Sequence, residues 1–378
     1  MHILIVTDAW SPQVNGVVTT VRATVAELES LGHRVDLITP EGFRTVPCPT
    51  YPEIRLSIAP GRRVARMIDA LDPDAVHIVT EAPLGIAARR HLLRTGRPFT
   101  TAYHTQFPEY VYARCRLPVA ISYAWLRRFH GPAFRCMVPT EAIHDRLSAR
   151  GFANLAYWSR GVDTELFQPA PHEPRSTERP IFLYAGRLAV EKTIEDFLKL
   201  DLPGTKWVVG DGPARAQLEA RFPHAVFHGM RHGADLAYFY QQADAFVFPS
   251  RTDTFGLVLI EAMACGTPVA ALPVTGPVDV VRSLEAGVLS TDLRDAALAA
   301  LHLDRNAVRN YALQYSWAAA TAQFVEHLKG AIRGKRDADS SRADQTKSGP
   351  IATLSTTPAP SSRTRFDSHQ TAPLRTDQ

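Results

Sequence analysis

Two basic side chains lie where a predicted strand gives way to a helix, in the segment AGRLAVEK (185–192). Gly186 at the strand's end lets the backbone approach a ligand closely. Arg187 and Lys192 then combine a fork-shaped donor with a point charge beside a helix N-terminus, which suits a diphosphate. The alternative is a pair of solvated charges with Glu191 as partner. The position at a strand's carboxyl end favours the diphosphate.

Two carboxylates flank an apolar run in RTDTFGLVLIEAMACGTPV (251–269). The neighbours of Glu261 are apolar, and a buried acid without partners is costly, so we expect a ligand or a partner donor for it. A carboxylate that accepts from ribose hydroxyls is a common nucleotide anchor. A solvated helix acid is the alternative for Glu261, and Asp253 lies three residues before Gly256.

Other groups are predicted at the same crevice. Phe255 and Gly256 fall at the turn into a helix, so the free N–H groups of its first turn, near Gly256 and Leu257, would point there. Gly16 lies in a loop between the first strand and the first helix, and His104 follows a strand in TAYHTQFPEY. A structural hydrogen bond is the alternative role for this histidine.

The elements that must position these residues alternate along the chain. Short β-branched apolar runs predict buried strands, and helical spacing follows most of them. This alternation predicts an α/β fold of two Rossmann-like, doubly wound parallel sheets that face each other across a cleft. Neither half shows G-x-G-x-x-G after its first strand, which counts against a dinucleotide oxidoreductase.

Pro-rich and polar stretches divide the chain into five parts. The predicted parts are an N-terminal Rossmann-like domain (1–167), a linker (168–180), a C-terminal Rossmann-like domain (181–314), a last helix (315–332) and a disordered tail (333–378).

Composition sets further bounds. The 378 residues are 45% hydrophobic and 21% charged, with a net charge of +4, as in ordinary soluble proteins. The four cysteines have no paired spacing, so neither a disulfide framework nor a zinc site is expected. No run reaches the roughly 20 apolar residues of a membrane helix. We therefore expect a cytoplasmic protein, with peripheral contact with the cytoplasmic face of the inner membrane left open.

Together these motifs resemble the GT-B-fold retaining glycosyltransferases of family 4. The resemblance covers about residues 1–330, and its subgroup features are similar to bacterial diacylglycerol glycosyltransferases, sulfoquinovosyl-diacylglycerol synthases and lipid α-mannosyltransferases. It implies that the first domain (1–167) is the acceptor domain, that the second (181–314) is the donor domain, and that the helix of 315–332 returns to the first domain. The family signature is Glu-x7-Glu, which stands here as Asp253 to Glu261. The other matching stretches are PQVNGV (12–17), HTQFPEY (104–110), WSRGVDTELFQP (158–169), YAGRLAVEK (184–192), VGDGP (209–213) and ADAFVFPS (243–250).

For the nucleotide part of a diphosphate-sugar donor, the resemblance implies three groups of contacts. Arg187 and Lys192 would hold the diphosphate and stabilise the leaving group. Glu261 would bind the ribose, and the backbone of Gly229 and Met230 would face the base. Cations at this point would replace a metal, so no metal or other cofactor is expected.

For the transferred sugar, the resemblance implies that His104 approaches the reacting carbon through its side chain or carbonyl. Asp253 would hold sugar hydroxyls, and Gly16 with the amides of 255–257 would serve the phosphates or the sugar. Aspartate is one methylene shorter than the family's glutamate and reaches about 1.5 Å less far. We therefore expect a water or a differently placed hydroxyl in that gap.

The acceptor region is predicted from YVYARCRLPVAISYAWLRRFHGPAFRC (110–136), which mixes arginines with aromatic and aliphatic residues. Arg114, Arg116, Arg127 and Arg128 on such a surface suit an anionic lipid layer. The alternative is an amphipathic helix pair that packs on the sheet with solvated arginines.

The sequence therefore predicts an enzyme that moves a hexose from a UDP- or GDP-linked sugar to a membrane lipid such as diacylglycerol or a glycolipid. No nucleic acid is expected as a partner. Three alternatives remain, namely transfer to a soluble or polysaccharide acceptor, a sugar-nucleotide epimerase of the same fold, and a catalytically weak binding protein. The aspartate at 253 keeps the last alternative open, whereas Arg187, Lys192 and Glu261 argue against it.

Overall fold

A computed structural model describes residues 1–13, 15–48, 51–171 and 178–347, without the side chains of 51–53, 113–115 and 335–347. Met1–Arg336 form one compact unit. The first unit contains two six-stranded sheets, one in each half.

The first half is built on a parallel sheet with the strand order β2-β1-β5-β6-β7-β8 and carries an antiparallel hairpin, β3-β4. The order reverses between β1 and β5, and ligands of open α/β sheets bind at such a reversal. The strands are β1 (His2–Val6), β2 (Arg34–Ile38), β3 (Thr45–Cys48), β4 (Tyr51–Ser57), β5 (Ala75–Ile78), β6 (Thr100–Ala102), β7 (Cys136–Val138) and β8 (Leu155–Tyr157).

The second half is an all-parallel sheet with the order β11-β10-β9-β12-β13-β14, which reverses between β9 and β12. Every residue of β9 and β12 is buried, as expected for strands that helices cover on both faces. The strands are β9 (Ile181–Ala185), β10 (Thr205–Val209), β11 (Val226–Gly229), β12 (Ala245–Phe248), β13 (Val269–Ala271) and β14 (Gly287–Leu289).

Helices connect the strands and cover both sheets. Those of the first half are α1 (Gly16–Ser30), α2 (Gly61–Leu71), α3 (Pro83–Thr95), α4 (Phe107–Cys115), α5 (Val119–His130) and α6 (Glu141–Ser148). The second half has α7 (Ile194–Leu198), α8 (Arg215–Arg221), α9 (Gly233–Gln242), α10 (Leu257–Ala264), α11 (Pro277–Val280), α12 (Leu293–Ala300) and α13 (Arg305–Ala312), and α14 (Trp317–Lys347) follows. Among the described residues, no helix is both long enough and apolar enough to span a bilayer.

The boundary between the halves lies earlier than residue 167. Val162 and Phe167 are buried in the core of the second half, and the Val162 amide donates to the Tyr315 carbonyl over 3.1 Å. The Arg309 guanidinium also donates to the Phe167 carbonyl over 2.6 Å. Part of the predicted linker, residues 172–177, lies outside the described residues.

The C-terminal helix is longer than the sequence predicts. Ala320, Phe324 and Leu328 of α14 are buried with Ile3 and Trp158 in a core of the first half. The helix continues to Lys347, whereas the sequence analysis ended it at 332 and placed a disordered tail from 333. That prediction is wrong for residues 333–347, because a polar segment without apolar periodicity can extend a helix whose earlier turns are already packed. Residues 348–378 lie outside the described part of the chain.

Candidate functional site

The predicted site residues collect at the carboxyl ends of strands on both sides of the cleft. Gly186 and Arg187 follow β9, Asp253 lies in the loop after β12, and His104 lies in the loop after β6. Because β9 and β12 pair directly at the reversal of the second sheet, their loops are neighbours. The topology thus brings together residues that are more than 60 positions apart in the sequence.

An ion pair lies at the centre of this group. Lys192 Nζ is 2.5 Å from Asp253 Oδ1, with side chains that are 21% and 16% exposed. Burial alone would lower the pKa of Lys192, but the Asp253 carboxylate raises it above its usual range. The lysine is therefore charged at neutral pH. Asp253 Oδ2 is buried and has no hydrogen-bond partner among the described residues, so one carboxylate oxygen remains for a ligand.

Two tyrosines border the ion pair. Burial raises the pKa of Tyr110 above its usual range, and Lys192 and Asp253 also act on it electrostatically. The Tyr184 hydroxyl donates to the Arg187 carbonyl over 2.9 Å. A β-carbon on Gly186, whose φ is +152°, would lie 3.1 Å from that hydroxyl. Glycine thus leaves room for the turn that presents Arg187.

The amino end of α10 faces the first half. Gly256 begins this helix with φ +88°, and a β-carbon there would press on Leu259 at 3.0 Å. No side chain caps this helix end within the described residues. A β-carbon on Gly16 would lie 3.5 Å from Leu257 Cδ1, which shows that Gly16 and the start of α10 meet across the cleft. The backbone of Gly16 and of Phe255 to Leu257 thus surrounds the N-terminus of α10. Free N–H groups at a helix N-terminus suit the binding of an anion.

Glu261 has the partner donor that its apolar surroundings require. The Tyr240 hydroxyl donates to Glu261 Oε2 over 3.0 Å. Burial raises the pKa of Glu261 from its ordinary 4.5 to about 7, and this hydrogen bond opposes the shift only in part. One donor leaves a carboxylate with unused acceptor capacity, which vicinal hydroxyls of a ribose would fill.

His104 contacts both halves of the protein. Its carbonyl accepts from Thr254 Oγ1 of the second half over 2.7 Å. Its ring nitrogen Nδ1 lies 3.3 Å from Arg160 Nη2, while Nε2 is buried without a partner among the described residues. The imidazole is therefore held at Nδ1, and its Nε2 atom has unused hydrogen-bonding capacity.

Further hydrogen bonds hold the loops of the two halves together. Gln106 Nε2 donates to the Asp253 carbonyl over 3.1 Å, and Thr140 Oγ1 donates to the Thr254 carbonyl over 3.2 Å. Arg146 donates to Gln106 Oε1 and, over 2.7 Å, to a threonine hydroxyl of the second half, that of Thr275. The loop that carries Asp253 is thus fixed from the side of the first half.

The residues assigned to the base lie further along the second sheet. Gly229 ends β11 with φ +72°, and its carbonyl accepts from the Gly210 amide over 2.9 Å. Met230 is 40% exposed.

The four arginines assigned to the acceptor surface differ in their surroundings. Arg116 ends α4 in an exposed position, with its guanidinium 5.6 Å from the Tyr112 ring centre. Arg127 donates to the Arg150 carbonyl over 2.7 Å and so helps to hold α5, and Arg128 is exposed on the same helix. The side chain of Arg114 lies outside the described part of the chain.

Apolar side chains on α4, α5 and the turn between them face solvent. The exposed members of this α4–α5 surface are Phe107, Tyr112, Leu117, Ile121 and Trp125. Single exposed apolar residues are common, but a group of five on two adjoining helices is typical of a binding surface.

Several residues of the site were not singled out in the sequence. Gln106, Tyr110 and Arg160 fall inside matching stretches, but a linear motif does not show which side chains turn inward. Asp8 follows β1 and accepts from the amides of Leu84 and Gly85 at 3.0 and 3.3 Å. Burial raises the pKa of Asp8 to about 6. Asp8 lies two residues beyond the end of β1, and no sequence motif indicated it.

Comparison with known families and proteins agrees with the geometry. Residues 14–166 match the family described as Glycosyltransferase Family 4, and residues 179–305 match Glycosyl transferases group 1. A GDP-mannose-dependent α-mannosyltransferase of Mycobacterium tuberculosis is 31% identical over 373 residues, which cover 89% of this chain and 98% of that protein.

Two relatives have names that refer to other sugars or to a lipid. A sulfoquinovosyl transferase of Arabidopsis thaliana is 31% identical over 315 residues, covering 75% of this chain and 62% of that protein. An α-monoglucosyldiacylglycerol synthase of Streptococcus pneumoniae is 28% identical over 313 residues, covering 72% of this chain and 71% of that protein.

Solved structures show the same architecture. Sucrose-phosphate synthase of Thermosynechococcus elongatus superposes with a TM-score of 0.71 at 20% identity and covers 88% of this chain and 99% of its own. An Anabaena protein solved with UDP and glucose superposes with a TM-score of 0.64 at 16% identity. The alignment covers 86% of this chain and 99% of the Anabaena protein. The predicted fold of two Rossmann-like halves in the GT-B arrangement is thereby confirmed.

Proposed function

Because this chain belongs to the family 4 glycosyltransferases and is a glycosyltransferase enzyme, we propose that it moves a hexose from a nucleotide-diphosphate sugar to a membrane lipid. The observation that carries the donor assignment is the buried Lys192–Asp253 pair with its unpartnered carboxylate oxygen. A charged lysine and an open acceptor oxygen at one point suit a substrate that joins phosphates to a hydroxylated sugar.

The chemistry of glycosyl transfer needs this distribution of charge. Negative charge grows on the departing diphosphate while the sugar becomes oxocarbenium-like, and groups placed where charge develops lower the barrier most. Lys192, Arg187 and the N-terminus of α10 would stabilise the diphosphate. Asp253 Oδ2 and His104 Nε2 would hold the hexose, and Glu261 would hold the ribose.

The lipid acceptor is proposed from the first half. The exposed α4–α5 surface begins at Phe107, three residues after His104, so an acyl chain lying on it would bring its headgroup towards the reacting carbon. Arg116 and Arg128 would contact anionic headgroups beside the apolar residues. The relatives named for sulfoquinovosyl transfer and for glucosyldiacylglycerol synthesis support a lipid, while the mannosyltransferase leaves the hexose open.

We further propose that the reaction needs no metal and retains the anomeric configuration. Lys192 and Arg187 supply cations where other enzymes place a divalent ion on the diphosphate. Activity that persists in excess EDTA supports the first point, and abolition by EDTA with rescue by Mg²⁺ overturns it. NMR of the product's anomeric proton decides the second point, because a β-linked product from an α-linked donor contradicts retention.

The proposed function is tested with radiolabelled UDP- and GDP-sugars and vesicles that contain diacylglycerol or bacterial glycolipids. We expect label in the lipid phase and release of nucleoside diphosphate that depends on the lipid. Label found only in water-soluble saccharide would overturn the lipid acceptor. Conversion of the donor sugar without acceptor and without diphosphate accumulation would indicate the epimerase instead, and donor binding without turnover would indicate a binding protein.

A further inference from the structure

Arg160 lies beside the Nδ1 edge of the His104 ring. The Arg160 residue is 4% exposed, and its Nη2 atom is 3.3 Å from His104 Nδ1. Its Nη1 atom donates to the carbonyls of Trp158 and Ser159 over 2.6 and 2.9 Å. The guanidinium also stacks at 4.4 Å from the Trp158 ring centre. Four contacts therefore fix the guanidinium in place.

A fixed guanidinium determines where the imidazole carries its proton. Arginine has only N–H donors, so the nitrogen that faces it must be an acceptor. A proton on His104 Nδ1 would set two donors against each other. The neutral ring therefore carries its proton on Nε2, the atom that is buried and has no partner among the described residues.

The surroundings also oppose a second proton on the ring. Burial lowers the pKa of His104 well below its usual range, and the nearby Arg160, His77 and His130 lower it further. Arg160 itself has a pKa lowered by burial to about 9, so it keeps its charge at neutral pH. The ring is thus a neutral hydrogen-bond donor through Nε2.

We propose that Arg160 is a positioning residue, which fixes His104 as the Nε2–H tautomer so that this group donates a hydrogen bond to an oxygen of the donor hexose. Nδ1 is the basic nitrogen of this tautomer, and it accepts a hydrogen bond from Arg160, so it is not available to take a proton. His104 therefore orients the sugar and does not remove a proton from the acceptor. The contact with hexose rests on the proposed function, whereas the tautomer does not.

The tautomer is tested first, in the ligand-free full chain. Long-range ¹H–¹⁵N NMR distinguishes Nε2–H from Nδ1–H, and His104→Gln identifies the His104 signals among those of 14 histidines. We expect neutral Nε2–H in the wild type and a mixture of tautomers in Arg160→Met. Arg160→Lys should restore Nε2–H, because an ammonium also donates to Nδ1. Nδ1–H or a charged ring in the wild type at pH 7 would overturn the proposal.

The consequence for catalysis is tested in the same variants. For Arg160→Met we expect kcat to fall about 10- to 100-fold, the range found when partners that orient metal-bound histidines are removed, with a smaller change in donor KM. Arg160→Lys should recover part of kcat. The matched control is Arg150→Met, since Arg150 also stacks on an aromatic ring, that of Tyr123 at 4.3 Å.

Deoxy-sugar donors separate positioning from a general structural role. For at least one deoxy-sugar donor, the kcat/KM of the wild type should be about tenfold lower than for the corresponding sugar with its hydroxyl. The deoxy donor lacks the oxygen that accepts a hydrogen bond from the site. Arg160→Met should lose that discrimination, and unchanged discrimination would overturn the proposal. The Nε2–H tautomer in a protein without any glycosyl transfer would refute the proposed function and leave the positioning by Arg160 standing.

Discussion

The donor side of the second half and the α4–α5 surface of the first half handle charge in opposite ways. Lys192 and Asp253 are mostly buried and paired at 2.5 Å, and Glu261 takes a hydrogen bond from Tyr240. Arg116 and Arg128, in contrast, are exposed beside apolar side chains that also face solvent. Buried charges need partners of defined geometry, whereas exposed charges act through a diffuse field.

This difference in burial and pairing indicates the kind of substrate that each region is suited to bind. A nucleotide sugar presents phosphates, hydroxyls and a ring at fixed distances, and a rigid set of buried groups can match them. A lipid layer presents mobile headgroups, for which an adaptable basic and apolar surface is sufficient. Changes on the donor side should therefore have large, specific effects, and changes on α4–α5 should have small, additive ones.

The largest effect is expected from Lys192→Met. The substitution removes a cation from the diphosphate and leaves Asp253 buried without its counter-ion, so kcat/KM should fall by about 10³-fold. The measurement is steady-state release of nucleoside diphosphate, with circular dichroism as a check on folding. Lys199→Met is the matched control, because Lys199 pairs with Glu195 on an exposed helix surface at 2.8 Å. Equal activity of the two folded variants would contradict the donor assignment.

A smaller but more specific effect is expected from Asp253→Glu. The added methylene would fill the gap left by the shorter acid and displace the water or hydroxyl predicted there. One methylene in a binding pocket changes discrimination by about 10- to 200-fold, so the ratio of kcat/KM between two donor hexoses should change within that range. Competition between pairs of UDP- or GDP-hexoses measures this ratio. Unaltered donor preference would refute the fitting of Asp253 to a particular sugar.

The three-residue strand β14 is not predicted, but the sequence predicts β9, β10, β12 and β13 well, because these mostly buried parallel strands are apolar runs. It does not predict the hairpin β3-β4, whose segment TVPCPTYPEIRLS carries three prolines and resembles a loop. The end of α14 was also misplaced, since the polar residues after 332 carry no apolar period. Burial and propensity are local properties of a sequence, and these two segments depend on packing.

The sequence predicts which residues gather at this cleft, but it does not predict the contacts between them. Strand ends and a matching family motif pointed to Lys192, Asp253, Glu261 and His104. No sequence pattern indicates that Lys192 pairs with Asp253, 61 positions away, or that Arg160 faces His104 across 56 positions. Such contacts follow from strand order, which determines the loops that become neighbours.

The pH dependence of donor binding should show a moderate effect. In the proposed donor complex, ribose hydroxyls would donate to an ionised Glu261, so binding would favour the charged form and lower the pKa of Glu261 from its ligand-free value of about 7. Affinity should therefore be full above pH 7 and should fall about tenfold per unit below it, until the pKa of the complex is reached. Calorimetric titration of UDP or GDP between pH 5 and 8 measures this. Glu261→Gln should remove the dependence, whereas Glu195→Gln, at an exposed site, should keep it.

The smallest effect is expected on the α4–α5 surface, where each residue contributes separately. Trp125 and Ile121 are 40% and 55% exposed, so their replacement should cost little folding stability. Trp125→Ser with Ile121→Ser removes apolar area that would enter the lipid interface, and co-sedimentation with anionic vesicles should fall about fivefold, with the Kd for nucleotide unchanged. Leu284→Ser, at a 79% exposed position on the second half, is the matched control. Equal loss of vesicle binding in both variants, or no loss in either, would show that the bilayer does not bind the protein at α4–α5. The contrast between a rigid donor side and an adaptable acceptor side would then no longer hold for the acceptor side.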